Sequence, residues 1–229
     1  MRSMADGMNG YNRDGKESVP FNLLDGNGIN LLLAEDTLAR ICFLSSLIRS
    51  VEGGRVLYID LDTVLTAYVM HGIMMNKDAS MKMEMEMDIF IPDKGRFEDL
   101  LANVCSILDD DVRLVVLDSI HGFYHLYEGV KIASLNQLLI SYISLLTMHT
   151  ERYAIPFLLT SIRKRRVVEE QSTDKKKAYS IRYLWSKSSV ILSAKYLRKN
   201  STLLVDVIKH KIDGYSMQRW LINVSQLIY

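Results

Sequence analysis

Cysteine is nearly absent: Cys42 and Cys105 are the only two in 229 residues, they form no CxxC pair, and neither lies near a histidine cluster. That argues against a zinc knuckle, a thioredoxin-type redox motif and a disulfide scaffold, and leaves two thiols expected to be free and buried in helical patterns. The five histidines, His71, His121, His125, His149 and His210, have no zinc-ligand spacing. Long apolar runs are missing as well. The longest, such as residues 31–34 and 114–117, are strand-length and far short of the roughly 20 residues that span a bilayer. The first 20 residues carry scattered charges and no apolar h-region, so they do not read as a secretory signal. They are expected to form a disordered arm (1–20) ahead of a core domain (21–229), in a cytoplasmic protein with no membrane association. Charge of one sign is lacking too: 28 Lys and Arg against 27 Asp and Glu give a net +1.

What is present is a globular composition, 48% hydrophobic and 24% charged, enough for one substantial core. Short leucine-rich or β-branched runs alternate with longer segments of helical period, the pattern of a mostly parallel sheet covered on both faces. Strands are expected at 29–34, 55–60, 88–91, 113–118 and 156–161. Helices are expected at 37–50, 63–75, 96–108 and 133–150. Three further runs, 188–195, 201–210 and 217–223, are joined by short connections and read as an antiparallel extension. The methionine-rich alternation at 81–87 suits an exposed edge strand or a mobile loop.

In such a sheet the ligand site lies beyond the carboxyl ends of the strands, where helix amino termini can hold anions. The loops after Ala34, Asp60 and Asp118 therefore converge. Asp118 ends an almost wholly apolar run, the arrangement in which a carboxylate organises nucleotide-bound magnesium. The segment VRLVVLDSI (112–120) resembles the Walker B strand of the RadA/RadB branch of the RecA superfamily. The likeness extends to HGFYHLYEG (121–129), LNQLL (135–139), IPFLLT (155–160), VLYIDLD (56–62) and KHKIDG (209–214). It implies a RecA-like core with a mostly parallel central sheet, helices on both faces and a C-terminal antiparallel extension. It also puts Asp62 where that archaeal family carries its catalytic glutamate.

One departure matters most. The family has GxxxxGK[ST] between its first strand and helix, and this chain has AEDTLAR (34–40), shorter and without glycine or lysine. Glu35, Asp36 and Thr37 therefore mark, with Asp62 and Asp118, a degenerate nucleotide site. A carboxylate there satisfies the helix dipole that normally attracts phosphate, so no ATP, magnesium or other cofactor is expected, and no catalytic or metal-ligating residue is assigned. Ser161 and Ile162 replace the family's sensor residues. Asp118 reads as a structural relic at a strand end or as a residual metal ligand; Arg40 reads as a surface arginine or as a partial substitute for the lost lysine.

Nine Lys or Arg fall within residues 163–187. Arg163, Lys164, Arg165, Arg166, Lys175, Lys176 and Lys177 sit where the resemblance places a second DNA-binding loop. Clustered cations gain free energy by releasing counterions from a polyanion, although a solvated loop is an equal reading. Tyr179, Tyr183 and Trp185 could stack on bases or pack against the sheet. Lys209 and Lys211 could reach a nucleotide held by a partner. Two function classes follow: a noncatalytic recombinase paralogue that binds single-stranded DNA, a RadA-type recombinase or itself in DNA repair, and a KaiC-like regulatory or scaffold protein without a DNA role. A residual enzyme using a partner's nucleotide is a weaker third.

Overall fold

The computed structural model describes residues 18–70, 85–93, 95–163 and 182–225. The chain runs β1 (Ile29–Ala34), α1 (Thr37–Arg49), β2 (Arg55–Asp60), α2 (Val64–Met70), β3 (Glu86–Phe90), α3 (Phe97–Ser106), β4 (Val112–Asp118), α4 (Ile120–Leu126), α5 (Ile132–Glu151) and β5 (Phe157–Ile162). It continues through a short helix at 182–187 to β6 (Ser188–Leu197), β7 (Thr202–Lys209) and β8 (Arg219–Asn223). All eight strands form one sheet in the order β3-β2-β4-β5-β1-β6-β7-β8.

Strand alternation divides the core. Leu32, Val56, Tyr58, Leu114, Val116 and Leu158 point to the face covered by α1, whereas Leu31, Leu57, Val115, Leu117 and Leu159 point to the face covered by α3, α4 and α5. Phe43, Leu44 and Leu47 of α1 are fully buried, each contributing about 1.5–3 kcal/mol by leaving water. The 20-residue α5 is long and apolar enough by composition to cross a membrane. Here it packs Leu135, Leu139, Ile143 and Leu146 into the second core.

The final three strands form the expected antiparallel extension among themselves, and β6 joins it to the parallel body. β6 lies parallel to β1, so the parallel body includes it; only the β6–β7 and β7–β8 pairings are antiparallel. Helix α4 occupies a stretch given no element by its periodicity. Of the expected arm, residues 1–17 fall outside the described residues, while Val19 is fully buried and donates its amide to Ser46 Oγ at 2.8 Å. The methionine alternation at 81–84 is also outside them, and β3 begins at Glu86 as an edge strand. Cys42 is buried and Cys105 half-buried. Burial pushes the Cys42 thiol up to about 12, which leaves it protonated and unreactive.

Candidate functional site

Parallel register brings Asp60 of β2 beside Asp118 of β4, and the β4–β5 register that pairs Leu117 with Leu159 carries on toward Thr160. Period two then puts Tyr58, Asp60, Asp118 and Thr160 on the face that α1 covers. Arg40, in the first turns of α1, enters this group from above.

Its guanidinium grips Asp62 with two nitrogens, at 2.7 and 3.2 Å, and lies 3.2 Å from Asp118 Oδ1. Such a forked pair fixes both partners. Asp118 also accepts hydrogen bonds from the Tyr58 and Thr160 hydroxyls. Ser119 donates to Asp62 at 2.9 Å. Asp60 is held by the amide and hydroxyl of Thr66 at 2.8 and 2.6 Å, and its other oxygen is buried with no hydrogen-bond partner among the described residues. Gly122 lets α4 approach closely, because a Cβ there would stand 2.7 Å from the carbonyl carbon of Leu61.

Burial and pairing compete at each charge. Desolvation pushes the Asp118 carboxyl up to about 6, with Arg40, Thr160 and Tyr58 opposing it only in part. Asp62 also suffers desolvation, yet its hydrogen bonds to Arg40 win and its pKa is lowered. The difference follows exposure and geometry: the Asp62 side chain keeps 21% of its surface and faces Arg40 with both oxygens, whereas Asp118 has no exposure and one contact. Desolvation also raises Asp60, despite Thr66. For Arg40, burial disfavours the charge, but Asp118 and Asp62 outweigh it and hold its pKa above the ordinary value.

Arg40 corrects the sequence expectation of a surface arginine, since it has no exposed surface at all. It lies among three carboxylates, Asp60, Asp62 and Asp118, whose oxygens fall within 4.8 Å of one another. These three could group around a divalent ion; here the guanidinium supplies the counter-charge. Asp36 caps α1, accepting the Ala39 amide at 2.8 Å, and Thr37 opens the helix. Glu35 turns away from that helix terminus to an ion pair with Lys195 at 3.2 Å.

Arg163 is exposed, and its amide continues the β1–β5 ladder to the Ala34 carbonyl at 2.7 Å. Lys164, Arg165, Arg166, Lys175, Lys176, Lys177 and Tyr179 lie outside the described residues. Tyr183 packs, partly buried, against the second core, and Trp185 remains 42% exposed. Lys209 and Lys211 sit at the opposite end of the sheet from Asp118. Their ammonium groups bond the Ser188 carbonyl and Asp25.

The residues that sequence reasoning passed over are Tyr58, Thr66 and Ser119, and Asp60 is read there only as the end of a strand. Tyr58 and Asp60 carried a legible signal, because they are spaced by two within one strand and share a face.

No protein-family model matches this chain, and no curated protein matches it. Among solved structures 347 chains match, so the fold is widely shared and does not specify a chemistry. One of them, described as the crystal structure of the RadB recombinase, aligns with a TM-score of 0.59 and 15% identity over 90% of each chain. The sheet of mostly parallel strands, its antiparallel C-terminal margin and this alignment establish that the chain has a RecA-like α/β fold.

Proposed function

We propose that this chain is a noncatalytic RecA-fold protein that assists DNA recombination by binding single-stranded DNA, a recombinase of the same fold, or both. The observation that carries the reading is Arg40, whose guanidinium lies between the carboxylates of Asp62 and Asp118. A magnesium nucleotide does not fit that arrangement. Its metal would have to displace a buried guanidinium from charge-assisted hydrogen bonds, and its phosphates would meet an α1 terminus already capped by Asp36 with no glycine or lysine to cradle them. The RadB likeness in fold supports a recombinase-like role. The basic run beginning at Arg163 supports a polyanionic partner, since each neutralised phosphate releases counterions.

The test has two arms. Calorimetry with Mg-ATP is expected to show no binding, and a micromolar affinity at one site per chain would overturn the noncatalytic reading. Titration of a labelled oligonucleotide at several salt concentrations is expected to give a negative slope of log affinity against log salt. Changing Arg163, Lys164, Arg165 and Arg166 together to Ala should flatten that slope by about 2–3, at roughly 0.7 per lost single-strand phosphate contact. Weak binding that the four substitutions leave unaltered removes DNA as the partner.

A further inference from the structure

Helix α5 is short of charge on the side that faces water. Of its 20 residues only the last, Glu151, is an Asp, Glu, Lys or Arg, although such residues make up 24% of the whole chain. Leu135, Leu139, Ile143 and Leu146 face the second core. The opposite side is open: Ser134, Gln137, Ser141, Ser144, Leu145 and Met148 are all exposed, and among the described residues nothing covers them. They recur at spacings of three and four, so they form one stripe along about 30 Å of helix.

An outward helix face is ordinarily charged, as α3 is with exposed Glu98 and Asp99. Depletion of charge marks instead the centre of a protein contact. The charges of α5 stand only at its ends. Lys131 precedes the first turn and Glu151 closes the last, both exposed and opposite in sign. Exposed Val130 and Tyr153 extend the apolar surface beyond them.

We propose that α5 of one copy packs antiparallel on α5 of a second copy of this chain, about a two-fold axis at Ser141. Each residue then meets the one equally far from position 141 on the other helix. Lys131 of one copy faces Glu151 of the second, and the pair occurs twice. A parallel pair would set Lys131 against Lys131 and Glu151 against Glu151, and would align the helix dipoles. Size is complementary in the same register: Ser134 meets Met148 and Ser144 meets Leu138, a small side chain opposite a large one each time. The stripe is its own complement, which is what an isologous contact requires. Ser141, meeting itself on the axis, is small enough to let the two helices approach closely. Covering the stripe on both copies removes on the order of 1,000 Å² from water, near the lower bound for a specific interface. The dimer is therefore of micromolar strength, held by apolar burial, with the end charges setting its direction. This contact does not depend on the DNA-binding reading.

Sedimentation equilibrium and cross-linking of nuclease-treated protein test this. The mass should rise with concentration from the 26.3 kDa of one chain toward twice that value. Ser141→Arg puts two cations face to face on the axis and should weaken the dimer at least about tenfold, with unchanged melting because Ser141 is exposed. If that variant melts early, Ser141→Asp replaces it with the same expected loss. Lys131→Glu and Glu151→Lys should each weaken the dimer severalfold, and both in one chain should restore it. Added cysteines read the direction of packing, against a wild type whose Cys42 is buried and Cys105 half-buried. Ser141→Cys should join two chains under mild oxidation. Ser134→Cys alone should not, since the two positions stand about 20 Å apart in an antiparallel pair, beyond the ~7 Å that a disulfide spans; mixed with Met148→Cys it should. A wild-type chain that stays monomeric at hundred-micromolar concentration, a mass that Ser141→Arg leaves unaltered, or equal cross-linking at 134 and 141 would each overturn the contact. So would a monomer that sediments with phosphatidylglycerol vesicles, which would assign the stripe to a membrane surface.

Discussion

Replacing Arg40 with methionine is expected to cost about 3–5 kcal/mol of folding stability at pH 7.5, the loss typical of removing one partner from a buried ion pair. For a chain of this size that lowers the melting temperature by on the order of 10 °C. Methionine fills much of the space, so the loss comes from leaving Asp62 and Asp118 facing each other without a cation. The sign of the pH dependence follows from Asp118. Its folded pKa is already raised to about 6 from an ordinary 3.8, and without Arg40 it rises further. The folded variant then holds a proton that the unfolded chain releases, so its stability grows as pH falls from 7.5 through the folded pKa toward about 4. At pH 5 Asp118 is mostly protonated with or without Arg40, and the lost attraction between the two no longer counts. Urea unfolding at both pH values reads this directly: the gap between wild type and variant should narrow by more than about 1 kcal/mol at pH 5. A gap that stays constant or widens would show that Arg40 acts through packing instead of charge.

The frame of this site was legible in the sequence, and its centre was not. Apolar runs ending in acids located β2 and β4 to within a residue and put Asp60 and Asp118 at their carboxyl ends. Loop chemistry gave the Asp36 cap as well. Arg40 escaped because a lone arginine in an amphipathic pattern is ordinarily assigned to the wet side. Here α1 has no wet side along most of its length. Residues 39–48 are all buried, since Val19, Leu23 and Leu24 join the cluster that encloses the helix. A helix covered all round gives no reliable polar stripe, and which residue meets the sheet depends on a tertiary cover that one segment's periodicity cannot report. The parallel docking of β6 escaped for a related reason: alternation shows which side chains share a face but not which way the neighbouring strand runs.

Removing the whole charged group should be far less harmful than removing its cation. In a chain carrying Arg40→Met, Asp62→Asn and Asp118→Asn together, at least half of the stability lost by Arg40→Met alone is expected to return. The charges that methionine strands are then absent, and the desolvation that raises Asp118 no longer applies; buried ion groups replaced entire by neutral residues are often tolerated. The asparagine at 118 keeps an oxygen for one hydroxyl of Tyr58 and Thr160, while the other hydroxyl can turn to accept from its amide. Asparagine at 62 can still accept from Ser119. Recovery stays incomplete because Asp60 remains, buried and raised, with Thr66 as its donor. Denaturant unfolding of the wild type, Arg40→Met, the double asparagine variant and the triple variant gives the coupling, expected at about 2–3 kcal/mol for residues in one network. A triple variant no more stable than Arg40→Met would show that the carboxylates are not what the arginine neutralises. Oligonucleotide affinity should be the same in all four chains, since the basic run begins at exposed Arg163, outside the buried network. A fall in affinity under conditions where all four chains remain folded would tie the two sites together and give the buried charges a part in DNA binding.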